Sequence, residues 1–508
     1  MVVRGARRWC KNFTIRHKVL TMAGATSFPQ VILTVATFDA HLWYCIGQAS
    51  PLKYITSYCD VVSIIHKDQG YAKLPEHVVA DVLKAGMDEN CGTYLKKYTK
   101  SAVEKRKLHP FGNIRSERVC SREHHDLVLK AARNGIVLLK NTNKLLPLSK
   151  TKTTSLSVIG PNVDSAKTLV GNYAGLPCKH VTPLQGLKNS VKDIRYHQGC
   201  VAVNCSSAFT TQAAKIAKGA DHVVLVMGLD QTQERDDHDR VDLILTPKQQ
   251  NLISTIARVA KNPVIVVLLL GGPVDISFTK NDKRIGSILW AGYLGEAGGR
   301  ALAEIIFGDH NPGGRLPVTW YPQSYIKIPM TDVRMRLEPS SSYLGRTYRF
   351  YQGPKVFEFG YGLSYSNYVY QFLPITQNKV YLNNQSSSQM FENSSPLRYM
   401  PVSEMGIEVC EKMKYPITVR VQNNVDMASK HPILLFVRLA KASNGRPVKQ
   451  LVAFQSLNLH AGESADIELE LRPCEHLSSA NEDGLMVIQE GSYLLSIGNK
   501  ESEIQVVL

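Results

Sequence analysis

The sequence predicts a doubly wound α/β domain followed by a β-sandwich, because the period of its apolar residues changes along the chain. From Leu127 to Val318, amphipathic helical segments alternate with short continuous apolar runs, as in a parallel sheet covered on both faces. From Tyr415 onward, apolar residues recur at every second position, which is typical of strands with one buried face. Residues 1–119 show no comparable regularity.

The α/β region contains four strand candidates and four helix candidates. The apolar runs that predict strands are Ser155–Gly160, His222–Gly228, Pro263–Leu270 and Ile285–Gly292. The patterns that predict helices are His124–Lys140, Thr211–Lys218, Pro247–Val259 and Glu296–Phe307. Ligands of doubly wound sheets bind outside the carboxyl ends of the strands, so we expect the functional residues in the loops that follow them.

The C-terminal part is predicted to be a small β-sandwich of the immunoglobulin or fibronectin type. Ile417, Val419 and Val421 alternate with polar residues, and further short β-rich runs with turn signals between them follow. The segment Gln377–Pro396, which is rich in Asn and Ser, is predicted to be a loop or linker. The predicted divisions are 1–119, the α/β domain at 120–370, the linker at 371–400 and the β-sandwich at 401–508.

Composition and charge exclude several classes of protein. The formal net charge of +17 would suit an acidic partner, but the basic residues are spread along the chain and form no nucleic-acid-binding stripe. The longest apolar run, Pro263–Leu270, is too short to span a membrane. Cys200 and Cys205 lack the further ligands that a zinc site requires. The basic stretch Met1–Arg16 lacks the apolar region of a secretory signal, so no signal peptide is visible.

Glu234 is the first candidate catalytic residue. It lies in the loop after His222–Gly228, together with Asp230, Asp236, Asp237 and Asp239. Glycosidases need one carboxyl group as a general acid, and neighbouring like charges raise the pKa of some members of such a group. The loop is therefore a candidate acid/base site. The alternative is a solvated acidic loop in which Arg235 and Arg240 pair with the carboxylates.

Glu296 is a weaker candidate for the same role. It is predicted to lie in the first turn of a helix, where a negative charge interacts favourably with the helix dipole without any catalytic function. The glycines of its loop do not have the spacing of a dinucleotide-binding fingerprint, which argues against a nucleotide site.

Six runs of sequence carry a resemblance to a known family. They are Asn134–Asn141, Val158–Asn162, Gly171–Gly175, Phe307–Pro317, Gly345–Tyr351 and Phe359–Tyr365. These runs resemble the plant β-xylosidase and α-L-arabinofuranosidase branch of glycoside hydrolase family 3. The resemblance extends from Cys120 to the C-terminus.

The resemblance implies a retaining glycosidase whose active site lies between an N-terminal (β/α)₈ barrel and the α/β sandwich. The barrel would supply an aspartate nucleophile, and the sandwich would supply the acid/base, here Glu234. The expected ligands are xylo-oligosaccharides or arabinoxylan fragments, with no metal or cofactor, no nucleic acid and no membrane. The family is normally secreted to the cell wall, so Cys410 and Cys474 are expected to form a disulfide in the fibronectin type III-like domain.

Residues 1–119 are predicted to be a partial remnant of the barrel. Gly24–Pro29, Tyr54–Val62 and Lys84–Gly92 resemble barrel segments, and the chain passes from an early motif to a late one between Gln48 and Tyr54. A complete (β/α)₈ barrel takes roughly 250 residues. Several of its strands are therefore expected to be absent from this chain.

Tyr58 stands where the family pattern has the attacking aspartate. Asp60 is a poor substitute, because two residues along a strand is about 6.6 Å, whereas the carboxyls of retaining enzymes lie about 5–5.5 Å apart. The sequence therefore predicts a β-xylosidase-like protein with impaired catalysis. The alternatives are a non-catalytic carbohydrate-binding or scaffold protein, or the product of a pseudogene.

Overall fold

A computed structural model of the chain describes most of residues 29–508. The described ranges are 29–49, 56–57, 61–67, 69–84, 89–90, 93–105, 107, 120–171, 177–235, 238, 240–374, 378–382, 398–424, 427–441, 445–481 and 483–508. Tyr58 and Asp60 lie outside the described residues, so the predictions made for them stay predictions.

The N-terminal region contributes short helices and one pair of two-residue strands. The elements are α1 (Val31–Val35), α2 (Ala40–Ala49), β1 (Thr56–Ser57), α3 (Val61–Lys67), α4 (Pro75–Lys84), β2 (Glu89–Asn90) and α5 (Tyr94–Glu104). Strands β1 and β2 pair in parallel. Val62, Val78, Val79, Tyr94 and Ala102 form a small core between α3, α4 and α5.

The central region is an α/β domain built on a six-stranded sheet. Its elements are α6 (Arg122–Gly135), β3 (Val137–Asn141), β4 (Ser155–Ile159), α7 (Ala166–Val170), α8 (Pro183–Lys188), β5 (Asp193–His197), α9 (Thr210–Lys218), β6 (His222–Gly228), α10 (Pro247–Val259), β7 (Val264–Leu269), α11 (Ser277–Lys280), β8 (Ile285–Trp290) and α12 (Gly298–Ile306). The strand order is β3-β8-β7-β6-β4-β5, and β3 is antiparallel to β8 while the other pairs are parallel.

The apolar runs explain why the centre of this sheet is buried. Every residue of β7 and β8 is buried, as expected for parallel strands that have helices on both faces. Ser121 caps α6 by accepting a hydrogen bond from the backbone of His124 (3.3 Å), and Pro247 occupies the first turn of α10, where its missing N–H costs nothing. The four predicted strands are confirmed, as are the helices predicted at Thr211–Lys218 and Pro247–Val259, within two residues at each end.

Two predicted helices have different bounds in the structure. The helix predicted at His124–Lys140 ends at Gly135, and Val137–Asn141 forms the edge strand β3. A short apolar run fits a buried strand as well as a helix, so periodicity alone did not separate them. The helix predicted at Glu296–Phe307 begins at Gly298. Strand β5 was missed because, at the other edge of the sheet, it is only partly buried.

The C-terminal region is a β-sandwich. Its elements, with the short helix that precedes it, are α13 (Thr347–Phe350), β9 (Tyr368–Phe372), β10 (Lys379–Tyr381), β11 (Tyr399–Pro401), α14 (Val402–Met405), α15 (Ile407–Lys412), β12 (Tyr415–Asn423), β13 (Ser429–Leu439), β14 (Gln450–Leu459), β15 (Ser464–Leu471), α16 (Pro473–His476), β16 (Ser478–Ala480), β17 (Met486–Gln489), β18 (Gly491–Ile497) and β19 (Lys500–Val507). The sheet β10-β19-β18-β13-β14 shares one core with the sheet β15-β12-β9, and β11-β17-β16 forms a third, smaller sheet.

The segment predicted as a linker differs in part from that prediction. Strand β9, which overlaps its start, pairs with β12, and β10 pairs in parallel with β19. Both strands therefore belong to the β-sandwich. The Asn- and Ser-rich run that follows β10 concealed that strand, because those residues favour turns.

Three disulfides are present among the described residues. Cys410–Cys474 confirms the predicted pair, and it joins α15 to α16. Cys120–Cys178 and Cys200–Cys205 are also bonded, and the sequence analysis predicted neither. Within the described part of the chain, no helix is both long enough and apolar enough to cross a membrane.

Candidate active site

The loop after β6 is fixed at its start by Gln249 of α10. The backbone N–H of Gly228 donates to Gln249 Oε1 (3.1 Å), and Gln249 Nε2 donates to the carbonyl of Gly228 (2.8 Å). Gly228 has φ +134°, and a Cβ atom there would lie 2.0 Å from the carbonyl oxygen of Leu269. Glycine is therefore required at this strand end, and the fully buried Gln249 determines where the loop leaves the sheet.

A short turn then brings Glu234 back over the sheet. Asp230 Oδ1 accepts a hydrogen bond from the backbone of Thr232 (2.9 Å), and the backbone of Glu234 donates to the carbonyl of Asp230 (3.0 Å). The aspartate side chain stabilises the turn in the manner of an Asx motif. Asp230 is thus a turn residue, and Glu234 is the carboxylate that the turn presents.

Three groups contact the Glu234 carboxylate. Tyr293 Oη donates to Glu234 Oε1 at 2.6 Å, and the backbone N–H of Gly271 donates to the same oxygen. Arg240 Nε lies 3.4 Å from Glu234 Oε2. Gly271 follows β7 and Tyr293 follows β8, so the carboxyl ends of three adjacent parallel strands meet at this glutamate.

These contacts differ from the environment that the sequence predicted. The expected neighbours were carboxylates, but Asp236, Asp237 and Asp239 lie outside the described residues. The described contacts of Glu234 are hydrogen-bond donors and one cation. Its side chain is only 15% exposed, so Glu234 is not part of a solvated loop, although Arg240 is its partner as the alternative proposed. Arg235 instead donates to the carbonyl of Gln231 (3.0 Å).

Tyr293 keeps its proton in this site. Burial raises the pKa of the Tyr293 phenol, and the adjacent negative charge of Glu234 raises it further. The hydroxyl is therefore the donor in the hydrogen bond to Glu234 Oε1. The sequence analysis did not assign a role to Tyr293, although its position directly after a buried strand was a usable signal.

Glu296 lies in a different environment. Its side chain is 1% exposed and forms a short contact with Nδ1 of His125 on α6. Its backbone carbonyl accepts a hydrogen bond from Val181 (2.8 Å). Glu296 also precedes α12 by two residues, so the prediction that it lies in the first helical turn is wrong. The structure brings Glu234 and Tyr293 together and directs Glu296 toward α6.

Comparison with known families identifies the two C-terminal domains. Residues 136–365 match the glycosyl hydrolase family 3 C-terminal domain, and residues 431–501 match a fibronectin type III-like domain. The region 136–365 is therefore a domain of the glycosyl hydrolase family 3 C-terminal type. The family resemblance and the predicted α/β and fibronectin type III-like fold are thereby confirmed.

Similar proteins include plant and fungal enzymes. Over 485 residues the chain is 56% identical to "Probable beta-D-xylosidase 7" of Arabidopsis thaliana, and the match covers 90% of this chain and 63% of that protein. It is 38% identical over 484 residues to "Beta-xylosidase/alpha-L-arabinofuranosidase 1" of Medicago sativa subsp. varia, covering 89% of this chain and 61% of that protein. The chain thus spans less than two thirds of the length of these relatives.

A solved structure shares the architecture. The exo-β-xylosidase XlnD of family 3, in complex with a xylobiose aziridine activity-based probe, matches with a TM-score of 0.70 and 28% sequence identity. The match covers 90% of this chain and 61% of that protein. Within the described ranges, no group of three or more His, Cys, Asp or Glu side chains is arranged to hold a metal ion.

Proposed function

We propose that the chain is a β-xylosidase-like glycoside hydrolase in which Glu234 is the acid/base and hydrolysis is impaired. The observation that supports the role of Glu234 is the meeting of Tyr293, Gly271 and Arg240 at its carboxylate, at the carboxyl ends of three strands. The similarity to β-xylosidases and to a β-xylosidase/α-L-arabinofuranosidase favours xylo-oligosaccharides or arabinoxylan fragments as ligands. The proposal includes an extracellular, cell-wall location and domain divisions at residues 120, 371 and 401.

The reason for the impairment is the residue at position 58. In a retaining glycosidase, one carboxylate attacks the anomeric carbon while the acid protonates the departing oxygen, which gives a covalent glycosyl-enzyme and a free alcohol. The acid, now a base, then removes a proton from water, which displaces the enzyme carboxylate. Tyr58 offers a phenol in place of that carboxylate. Asp60 remains a weaker candidate for the nucleophile, and Glu296 remains a weaker candidate for the acid/base.

A second candidate is a non-catalytic carbohydrate-binding protein. The same tyrosine supports it, because loss of a nucleophile removes the covalent route without removing residues that contact the sugar. Under this alternative, the chain binds xylobiose as in the first proposal, but Glu234 is not an acid/base, so Glu234→Ala does not lower the hydrolysis rate even after a complete barrel with its nucleophile is joined to the chain.

The test combines turnover with covalent labelling of the purified full chain. We expect no release of chromophore from aryl β-xyloside or aryl α-arabinofuranoside, and no adduct with a xylobiose aziridine, because ring opening needs an enzyme carboxylate as nucleophile. If the unmodified chain hydrolyses these substrates and Glu234→Gln does not, hydrolysis is not impaired, but the acid/base role of Glu234 is supported. Absence of both turnover and xylobiose binding would contradict the proposed function as a whole.

A further inference from the structure

Gln30, on the segment 29–49, lies next to Glu234. A Cβ atom built on Gly271 would lie 3.0 Å from Gln30 Nε2, 3.1 Å from Gln30 Oε1 and 3.2 Å from Glu234 Oε1. The amide and the carboxylate therefore meet at Gly271, and any larger residue at 271 would occupy the space between them. Gln30 belongs to the N-terminal region, so the region that resembles the barrel still contributes a polar side chain to this site.

The position of Gln30 is fixed by its backbone and by the residues that follow it. Its N–H donates to the carbonyl of Tyr293 (2.9 Å), the residue that contacts Glu234. Leu33 is fully buried, and a Cβ atom on Gly135 or on Gly292 would lie 2.4 Å or 3.0 Å from Leu33 atoms. Two glycines thus make room for Leu33, and the segment cannot shift without losing this packing.

The rest of segment 29–49 contacts both C-terminal domains. The backbone of Arg315 donates to the carbonyl of Ala36 (2.8 Å), and Asp39 forms an ion pair with Lys430 of β13. The indole ring of Trp43 lies 5.4 Å from the ring of Phe454 on β14. Contacts at both ends of the segment hold Gln30 in place.

Two side chains beside Glu234 each have a buried polar atom with no hydrogen-bond partner among the described residues. The atoms are Gln30 Oε1 and Arg240 Nη1. Gln30 Oε1 and Glu234 Oε1 lie 3.1 Å and 3.2 Å from the Cβ position at Gly271, and Arg240 Nε lies 3.4 Å from Glu234 Oε2. Arg240 is itself held in place, because its Nη2 donates to the carbonyl of Pro273 (2.9 Å). Buried polar groups without a protein partner are expected to bond to water or to a ligand.

We infer that Gln30 is a sugar-binding residue of the Glu234 site, with its amide carbonyl accepting a hydrogen bond from a ring hydroxyl of the xylose unit that contacts Glu234. Arg240 Nη1 donates to a second hydroxyl of the same unit. A pair of neighbouring hydroxyls supplies the donor and the acceptor that these two side chains require. This inference rests on the proposed function, because it takes a xylo-oligosaccharide as the ligand.

The test is calorimetric titration of xylobiose into the full chain and two variants of Gln30. Gln30→Met keeps the length of the side chain and removes the amide, and Gln30→Ala removes the side chain. The matched control is Val31→Ala, because Val31 is the next residue and is 76% exposed. We expect both Gln30 variants to bind xylobiose about two- to tenfold more weakly, and Val31→Ala to bind as the unmodified chain does.

The outcomes separate this inference from the function on which it rests. If the unmodified chain binds xylobiose and Gln30→Met binds it equally well, the inference is wrong and the proposed function stands. If the unmodified chain does not bind xylobiose, the proposed function is wrong and the inference falls with it. A lower unfolding temperature of Gln30→Met with unchanged affinity would assign Gln30 a structural role only, which also overturns the inference.

Discussion

Glu234 and Glu296 both follow parallel strands of the same sheet, yet their side chains have different surroundings. Glu234 follows β6 and is contacted by a phenol, a backbone N–H and an arginine, while 15% of its side chain remains exposed. Glu296 follows β8, is 1% exposed and contacts His125 on a covering helix. A carboxylate that exchanges protons with a ligand must be reachable by that ligand. A carboxylate that only joins two structural elements can be fully buried.

Proximity to a strand end is therefore not sufficient to identify a catalytic carboxylate. Both glutamates satisfy that criterion. Their surroundings distinguish them, because Gly271 and Tyr293, which follow two further strands of the sheet, donate to Glu234, whereas the Glu296 side chain contacts His125 on α6.

The largest effect is expected at the residue that fixes the loop of Glu234. Gln249→Ala removes an amide that bonds both backbone groups of Gly228 and the carbonyl of Val203. Leaving these buried groups unpaired should lower stability by about 3–4 kcal/mol, measured by thermal and urea unfolding. The control is Gln250→Ala, which removes one hydrogen bond, to the carbonyl of Leu245. Equal losses in the two variants would show that Gln249 does not fix this loop.

Glu296→Ala should destabilise the chain by about 2–3 kcal/mol, because it leaves the ring nitrogen of His125 without its buried partner. Glu123→Ala is the control, since Glu123 lies on α6, the helix that carries His125, and is exposed. Differential scanning calorimetry gives the difference in unfolding temperature. If Glu296→Ala is as stable as the control but binds xylobiose more weakly, Glu296 contacts the ligand and the structural role assigned to it here is wrong.

Tyr293→Phe should cost about 1 kcal/mol, because one hydrogen bond to Glu234 is lost while the ring remains. The pKa of Tyr293 is raised above its ordinary value of 10.0, so the folded chain keeps a proton that the unfolded chain loses. The stability that this difference provides is fully present below pH 10.0 and is lost as the pH rises toward the folded pKa. Unfolding temperatures measured at pH 9, 10 and 11 should therefore fall less steeply for Tyr293→Phe. Parallel curves would contradict this account of the phenol.

Most of the α/β domain could be predicted from the sequence because its strands are continuous apolar runs. Strand β6 was predicted with its observed bounds, and β7 and β8 within two residues at each end. The edges of the sheet were predicted less well. Strand β3 has the composition of a buried helix segment, and β5 is half exposed, so neither carries a decisive period.

The partners of Glu234 could not be predicted, because they come from distant parts of the sequence. Gly271 and Tyr293 reach the glutamate only when three strands align, and Gln30 reaches it through the packing of Leu33 against two glycines. The sequence identified the carboxylate from its own loop. The tertiary structure alone shows which donors contact it.

We propose that Glu234 is an acid/base that lacks its nucleophile. A chimera that joins a complete family barrel, with the aspartate present, to residues 120–508 of this chain tests this role. Xylobiose hydrolysis by the chimera should fall about 10²–10⁴-fold in Glu234→Ala, because the poor leaving group needs a proton. In the same variant, cleavage of the glycosidic bond of an aryl xyloside with a good leaving group should not slow, because that group departs without a proton. The control variant, Glu123→Ala, should leave the hydrolysis of both substrates unchanged. Full activity of Glu234→Ala on xylobiose, together with its loss in Glu296→Ala, would contradict the account.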